Sequence, residues 1–291
     1  MPELKDVIAL LRPLQWVKNA VVAAPLVFSQ RFFSVDDLLA AALATAAFCL
    51  GSSATYVLND VIDRDRDRYH PLKSDRPVAA GRVGPRAAAM LAAGLLIAGL
   101  ALATVAGADV ATVLIAFLLL QIAYSTVLKH IVVVDVCALA TGFVLRAAAG
   151  VMAVNAALSP WLFACTFLLA LFLALGKRRH ELVLLGGEAG GHREVLGSYT
   201  PRLLDGLAMS VSIATLGAYT LYTLSPAVRE KLGEDRLYLT IPFVVFGVFR
   251  YLFLVYRRKE GGNPTAVLLG DLPLQIGIAA WIGTVFLLLY R

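Results

Sequence analysis

Eight stretches of about twenty residues, each nearly free of charge, decide what this chain can fold into. They run near 38–57, 87–107, 109–128, 131–153, 159–176, 203–224, 237–256 and 271–290. A helix of about twenty apolar residues spans the roughly 30 Å hydrocarbon core of a bilayer. Inside lipid every backbone N–H and C=O must be paired within the protein, and successive helices achieve this. A ninth run, 17–34, is weaker, because Lys18, Asn19, Gln30 and Arg31 crowd its ends and Pro25 sits inside it. The expectation is an all-α polytopic membrane protein with nine transmembrane helices.

The composition agrees: 59% of the 291 residues are hydrophobic and 16% charged, with no soluble domain, low-complexity tract or internal repeat between the runs. The chain therefore reads as one integral-membrane domain over 1–291. Its opening, "MPELKDVIALLRPLQW", lacks the small-residue cleavage site of a signal peptide. It reads instead as an interfacial amphipathic segment over 1–16, with Leu10, Leu11, Leu14 and Trp16 on its apolar side. Cys49, Cys137 and Cys165 lie inside apolar runs and fit small core residues better than a disulfide framework or a zinc site.

Charge sets the orientation. With the N-terminus in the cytoplasm, nine spans place nineteen Lys and Arg on the cytoplasmic side and five opposite, a strong positive-inside bias. The net charge of +6 then needs no nucleic acid to explain it, and no nucleic-acid motif is present. The expected location is the plasma membrane, with the loops at about 58–86, 124–135 and 177–202 facing the cytoplasm. The stretch "GGEAGGHREVLGSYTPR", with Gly186, Gly187, Gly190 and Gly191, reads as a flexible loop.

The loop after the 38–57 run carries most of the chemistry. Asp60, Asp63 and Asp67 stand at i, i+3 and i+7, one face of a helix of about 3.6 residues per turn, with Asn59 beside them and Asp65 pointing elsewhere. Like charges a turn apart repel, so such a face calls for a cation. Hard oxygen ligands suit Mg²⁺, which is usually held by one or two carboxylates plus substrate phosphates. The alternative is a solvated loop in which Arg64, Arg66 and Arg68 neutralise the aspartates.

A second corner reads "YSTVLKHIVVVD", with Tyr124, Lys129 and, just inside an apolar run, Asp135. A carboxylate there is a functional-site hypothesis, with an interfacial helix cap as its alternative. Arg146 follows Asp135 by about three helical turns and faces the same way. "LGKRRHEL" supplies Lys177 and Arg178, which topogenic charge explains equally well. Near the start, Lys18 and Asn19 enter the bilayer, where an Asn seeks polar partners or serves only in helix packing.

The stretch "NDVIDRDRD" resembles the NDxxDxxxD motif of the UbiA superfamily of intramembrane prenyltransferases, and the likeness extends over essentially the whole chain. With "LRPLQWVKN", "GFVLRAAAG", "GKRRHEL" and "NPTAVLLGDLPL", the second corner is similar to that of decaprenyl-phosphate phosphoribosyltransferases within it. The resemblance implies a nine-helix UbiA-type bundle. It also implies Mg²⁺-dependent transfer of phosphoribose from 5-phosphoribosyl 1-diphosphate to a polyprenyl phosphate, in the supply of arabinose donors for the cell envelope.

By the same resemblance Asp60, Asp63, Asp67 and Asp135 are catalytic and, with Asn59, metal-binding. Tyr124 closes the site with Asp135, and Lys129 meets phosphate. Lys18, Asn19, Lys73, Arg76, Arg82, Arg146, Lys177 and Arg178 complete the substrate contacts, and Asp65 and His70 receive no role. A phosphorylated donor and acceptor need many cations, which these basic residues supply. The partners are the two substrates and membrane lipid, with a homo-oligomer left open. A prenyl diphosphate donor with a small or aromatic acceptor is the competing reading, and a transporter the more remote one.

Overall fold

A computed structural model describes residues 3–69, 73–185, 194–258 and 261–291. His70, Arg193, Lys259 and the glycines of the expected flexible loop, Gly186, Gly187, Gly190 and Gly191, lie outside the described residues. Among those described, eight helices are long and apolar enough to cross a membrane. They are Val35–Ile62, Pro85–Ala106, Ala108–Thr126, Val134–Ala153, Pro160–Leu185, Pro201–Leu224, Leu237–Arg258 and Leu272–Leu289. We number them α1 to α8 in that order.

The ninth expected span differs from the reading of 17–34. Helix Leu4–Leu11 ends at Arg12, whose backbone is left-handed (φ 52°), and Pro13 then opens a 3₁₀ segment, Pro13–Ala23, that passes into helix Ala24–Phe28. The pair bends by 41°, and only as one broken span does it bring the count to nine. Proline at the first position and a left-handed residue before it stop one helix and start the next at a new angle. In the opening segment Leu10 is buried, while Leu4, Ile8 and Leu14 are exposed.

Local signals account for the helix starts. The Ser34 hydroxyl accepts from the Asp37 N–H (3.3 Å) and Asp36 and Asp37 occupy the first turn of α1, where the helix dipole favours negative charge. In "NPTAVLLGDLPL", Asn263 caps helix Pro264–Gly270 and Asp271 caps α8, accepting from the Leu274 N–H at 2.9 Å. Arg250 also grips Asp271 through Nε (3.0 Å) and Nη2 (2.8 Å), and this guanidinium holds the Asp271 carboxyl below its ordinary range. A carboxyl with a lowered folded pKa stabilises above the unfolded pKa of about 3.9 and loses that contribution as pH falls through the lowered value. Below about pH 4, thermal unfolding of the detergent-solubilised protein should therefore fall more steeply for the wild type than for Asp271→Asn.

The backbone groups into two compact units. The first comprises Met1–Leu26, Phe33–Ser125 and Leu145–Ala156. Its core joins Val22, Ala44, Ala47, Phe48, Leu114, Phe117 and Ala149. Small residues let its helices approach closely, as van der Waals packing in lipid favours. A Cβ on Gly99 would stand 3.2 Å from the Ala47 carbonyl oxygen, and one on Gly150 would penetrate the Val22 carbonyl. Gly150→Ala should thus displace backbone from backbone and cost about 2–3 kcal/mol, at the upper end of ordinary overpacking; a lowered unfolding temperature in detergent checks this.

The second unit comprises Val27–Phe32, Thr126–Val144 and Ala157–Arg291. One of its cores holds Val136, Leu175, Val195, Leu196, Tyr199 and Leu204, and another Phe172, Tyr251, Leu254 and Val267. Outward-facing Ile97, Val105, Leu119, Ile213 and Leu287 are exposed, the apolar surface that spanning helices turn to lipid. The three cysteines are free and half-buried.

Candidate active site

In the first unit, α1 carries the acidic motif out of its apolar run. Asp63 ends it and precedes a short helix, Arg64–Arg68, while the Asp63 N–H to Asn59 carbonyl (2.9 Å) and Asp67 N–H to Asp63 carbonyl (2.8 Å) bonds keep the helical register. Asp60 and Asp67 are consequently buried together, Asn59 and Asp63 are half-buried, and Asp65 faces outward.

Cations lie against the two buried carboxylates. Arg76 Nη1 donates to both, at 3.0 Å to Asp60 Oδ1 and 2.7 Å to Asp67 Oδ2, and Lys73 Nζ stands 3.8 Å from Asp67 Oδ1. Arg12 Nη2 donates to Asp60 Oδ1 at 2.6 Å with its guanidinium over the Tyr56 ring. Arg82 stands apart from this group: its Nε bonds Asp6 (2.9 Å), and its Nη1 and Nη2 bond the Asp75 carboxylate and carbonyl, tying the N-terminal helix to the loop.

Deeper in the same unit, the Arg146 Nε donates to Asn19 Oδ1 at 2.7 Å and the guanidinium lies over the Phe117 ring. Asn19 Nδ2 in turn donates to half-buried Cys49 Sγ (3.3 Å), and Asn19 and Arg146 are both buried, so the Asn meets the polar partners expected of it. Lys18 and Tyr124 are half-buried.

The second unit holds a separate cluster. Asp135 is fully buried in the first turn of α4 and accepts from Arg178 Nε at 2.7 Å and from the Tyr199 hydroxyl at 2.9 Å. Arg178 is equally buried and also donates through Nη1 to Glu181 (2.6 Å), which Lys177 approaches at 3.7 Å. These contacts exist because α5 continues to Leu185, so "GKRRHEL" is helix where the sequence reading began a loop at 177. Arg179 turns to Asp205 (2.6 Å), and half-buried Lys129 sits in a 3₁₀ turn, Leu128–His130.

The Tyr199 hydroxyl also accepts the Val133 N–H at 2.8 Å. Val133 has φ 68°, and a β-branched residue in that region costs of order 1–3 kcal/mol unless its surroundings impose it. Burial pushes the Tyr199 hydroxyl up to about 12, so at neutral pH it keeps the proton it donates to Asp135.

Among the described residues no three His, Cys, Asp or Glu side chains form a ready-made metal cage. Mg²⁺ in general takes one or two protein carboxylates and completes its shell with water and phosphate. Asp60 and Asp67 offer buried carboxylate oxygens with Arg12, Arg76 and Lys73 against them, and the two Asp135 oxygens likewise accept, from Arg178 and Tyr199.

A model of the UbiA prenyltransferase family matches residues 20–270. The chain belongs to this family. Its UbiA relatives include the decaprenyl-phosphate phosphoribosyltransferase of Corynebacterium glutamicum, 34% identical over 96% of this chain and 85% of that protein. The enzyme of the same name from Mycolicibacterium smegmatis is 34% identical over 96% of this chain and 91% of its own length. A solved UbiA homologue from Archaeoglobus fulgidus, bound to GPP and Mg²⁺, covers 98% of this chain and all of its own at a TM-score of 0.73 and 21% identity, a likeness of fold. This UbiA member is accordingly a multi-pass membrane protein. The sequence reading passed over Arg12 and Tyr199, since their partners Asp60 and Asp135 are 48 and 64 residues away.

Proposed function

We propose that this protein transfers the 5-phosphoribosyl group of 5-phosphoribosyl 1-diphosphate to a polyprenyl phosphate of the decaprenyl type, releasing diphosphate, in arabinose-donor synthesis for the cell envelope. The observation that carries this reading is 34% identity to decaprenyl-phosphate phosphoribosyltransferases along 96% of the chain. Nine spans with a cytoplasmic N-terminus put nineteen Lys and Arg on one side against five opposite, and on that charge bias we assign the reaction to the cytoplasmic face of the plasma membrane.

In this reading the bond from ribose C1 to the diphosphate oxygen breaks, and one forms from C1 to an acceptor phosphate oxygen, inverting C1. Asp60 and Asp67, with Asn59 and Asp63 beside them, would hold Mg²⁺, which would supply Lewis-acid neutralisation of charge on the leaving diphosphate. Arg76 moves from the carboxylates to a phosphate oxygen as substrate enters, exchanging one charge-assisted contact for another. Lys73 supports it, and Lys18, Lys129 and Lys177 serve the remaining phosphates. The acceptor phosphate has a second pKa of about 6 and is largely ionised at pH 7, so it attacks without a strong general base.

The test is release of inorganic diphosphate from 5-phosphoribosyl 1-diphosphate by purified enzyme, dependent on added polyprenyl phosphate. EDTA should abolish that release and excess Mg²⁺ restore it. Release that persists in EDTA would remove the metal from the reading.

A further inference from the structure

The second cluster resolves into a device that UbiA membership does not explain. Asp135 presents one oxygen to Arg178 and the other to Tyr199, at 2.7 and 2.9 Å, with all three side chains buried. Tyr199 reaches past Asp135 to the N–H of Val133, one of the amides that a helix start leaves without an intrahelical partner. Val133 is held at positive φ at that point, where the chain turns from the 3₁₀ turn carrying Lys129 into α4. The Tyr199 ring packs among Val136, Leu175, Val195 and Leu196, so the hydroxyl is anchored by its own core. One hydroxyl therefore fixes both the strained amide and the carboxylate two residues on.

We propose that Tyr199, Asp135 and Arg178 form a lock holding the Leu128–Val134 corner in the shape that presents Lys129 to substrate phosphate, with Asp135 a positioning residue and not a metal ligand. This rests on the proposed function for the identity of the phosphate, but the lock itself can be read without it. Releasing the lock frees Val133 to relax to negative φ and swings the backbone that carries Lys129.

Tyr199→Phe keeps the packed ring and removes only the hydroxyl, so it is the cleanest probe. Hydrogen exchange at the Val133 amide should accelerate at least about tenfold, the size expected for losing one buried hydrogen bond. The KM for 5-phosphoribosyl 1-diphosphate should rise about tenfold while kcat stays within about threefold, the pattern of lost binding rather than lost chemistry. Asp135→Asn should bind Mn²⁺ in the presence of inorganic diphosphate within about twofold of wild type, read by electron paramagnetic resonance, whereas Asp67→Asn loses that binding.

An unchanged Val133 amide or an unchanged KM in Tyr199→Phe overturns the lock. Loss of Mn²⁺ binding in Asp135→Asn as severe as in Asp67→Asn overturns the assignment of Asp135. A wild type that uses only prenyl diphosphates would instead refute the proposed function, and the exchange and Mn²⁺ measurements would still judge the lock.

Discussion

Asp67→Ala should lower turnover at least about 10³-fold, the equivalent of about 4 kcal/mol of transition-state stabilisation, while the protein still inserts and purifies as a folded species. Asp67 is buried beside Asp60 and shares Arg76 with it, so its removal takes away one of the two carboxylates best placed for a divalent cation. It also leaves Arg76 and Arg12 both directed at Asp60, tilting the group towards net positive charge. Asp60→Ala should be comparably severe and Asp63→Ala severe as well, since all three lie on one face of about two successive turns of backbone. Asp65→Ala is the internal control: its side chain is exposed and, among the described residues, stands 3.8 Å from Arg68, so turnover should stay within about twofold, as for ordinary surface substitutions. Radiolabel transfer in detergent micelles, normalised to folded protein, measures all four, and an active Asp67→Ala enzyme would remove the metal-site assignment.

The largest effect on stability should come from Arg178→Met. It removes the cation from a carboxylate with no exposure, and breaking a buried pair on one side costs about 3–5 kcal/mol because the remaining charge is left uncompensated. At roughly 2–4 °C per kcal/mol for a chain of this order of size, unfolding in detergent should come on the order of 10 °C earlier. Tyr199 alone cannot replace the guanidinium bond to Asp135, and Glu181 loses its 2.6 Å contact with Arg178 at the same time. The double variant Arg178→Met with Asp135→Asn should recover much of the loss, because removing both charges of a buried pair is often nearly neutral. Equal destabilisation in the single and double variants would mean that packing around Arg178, rather than its charge, dominates.

The parts of this molecule legible in the sequence are those fixed by periodicity. Eight apolar runs became eight helices, most with ends displaced by a few residues and the 159–176 run extended to Leu185, because hydrocarbon thickness and backbone pairing leave little choice. Spacing alone separated Asp65 from Asp60 and Asp67, since helical register persists across the break at Asp63. What escaped was pairing at long range. Arg12 with Asp60, Arg82 with Asp6 and Tyr199 with Asp135 are 48, 76 and 64 residues apart, and only the packing of helices brings them together. "GKRRHEL" read as a loop because its charges end an apolar run, yet Arg178 stays helical with Asp135 and Glu181 to neutralise it. The first span was misplaced because Pro13 and the left-handed Arg12 break it earlier than its hydropathy suggests.

Donor choice is the central claim, and a competition assay tests it most directly. Purified enzyme in micelles containing decaprenyl phosphate is offered 5-phosphoribosyl 1-diphosphate labelled in the ribose alongside a prenyl diphosphate carrying a different label, with Mg²⁺. The account predicts ribose label in the lipid fraction, one diphosphate released for each label transferred, and no consumption of the prenyl diphosphate. Prenyl label transferred to an acceptor, with the ribose label left in the aqueous phase, would contradict it.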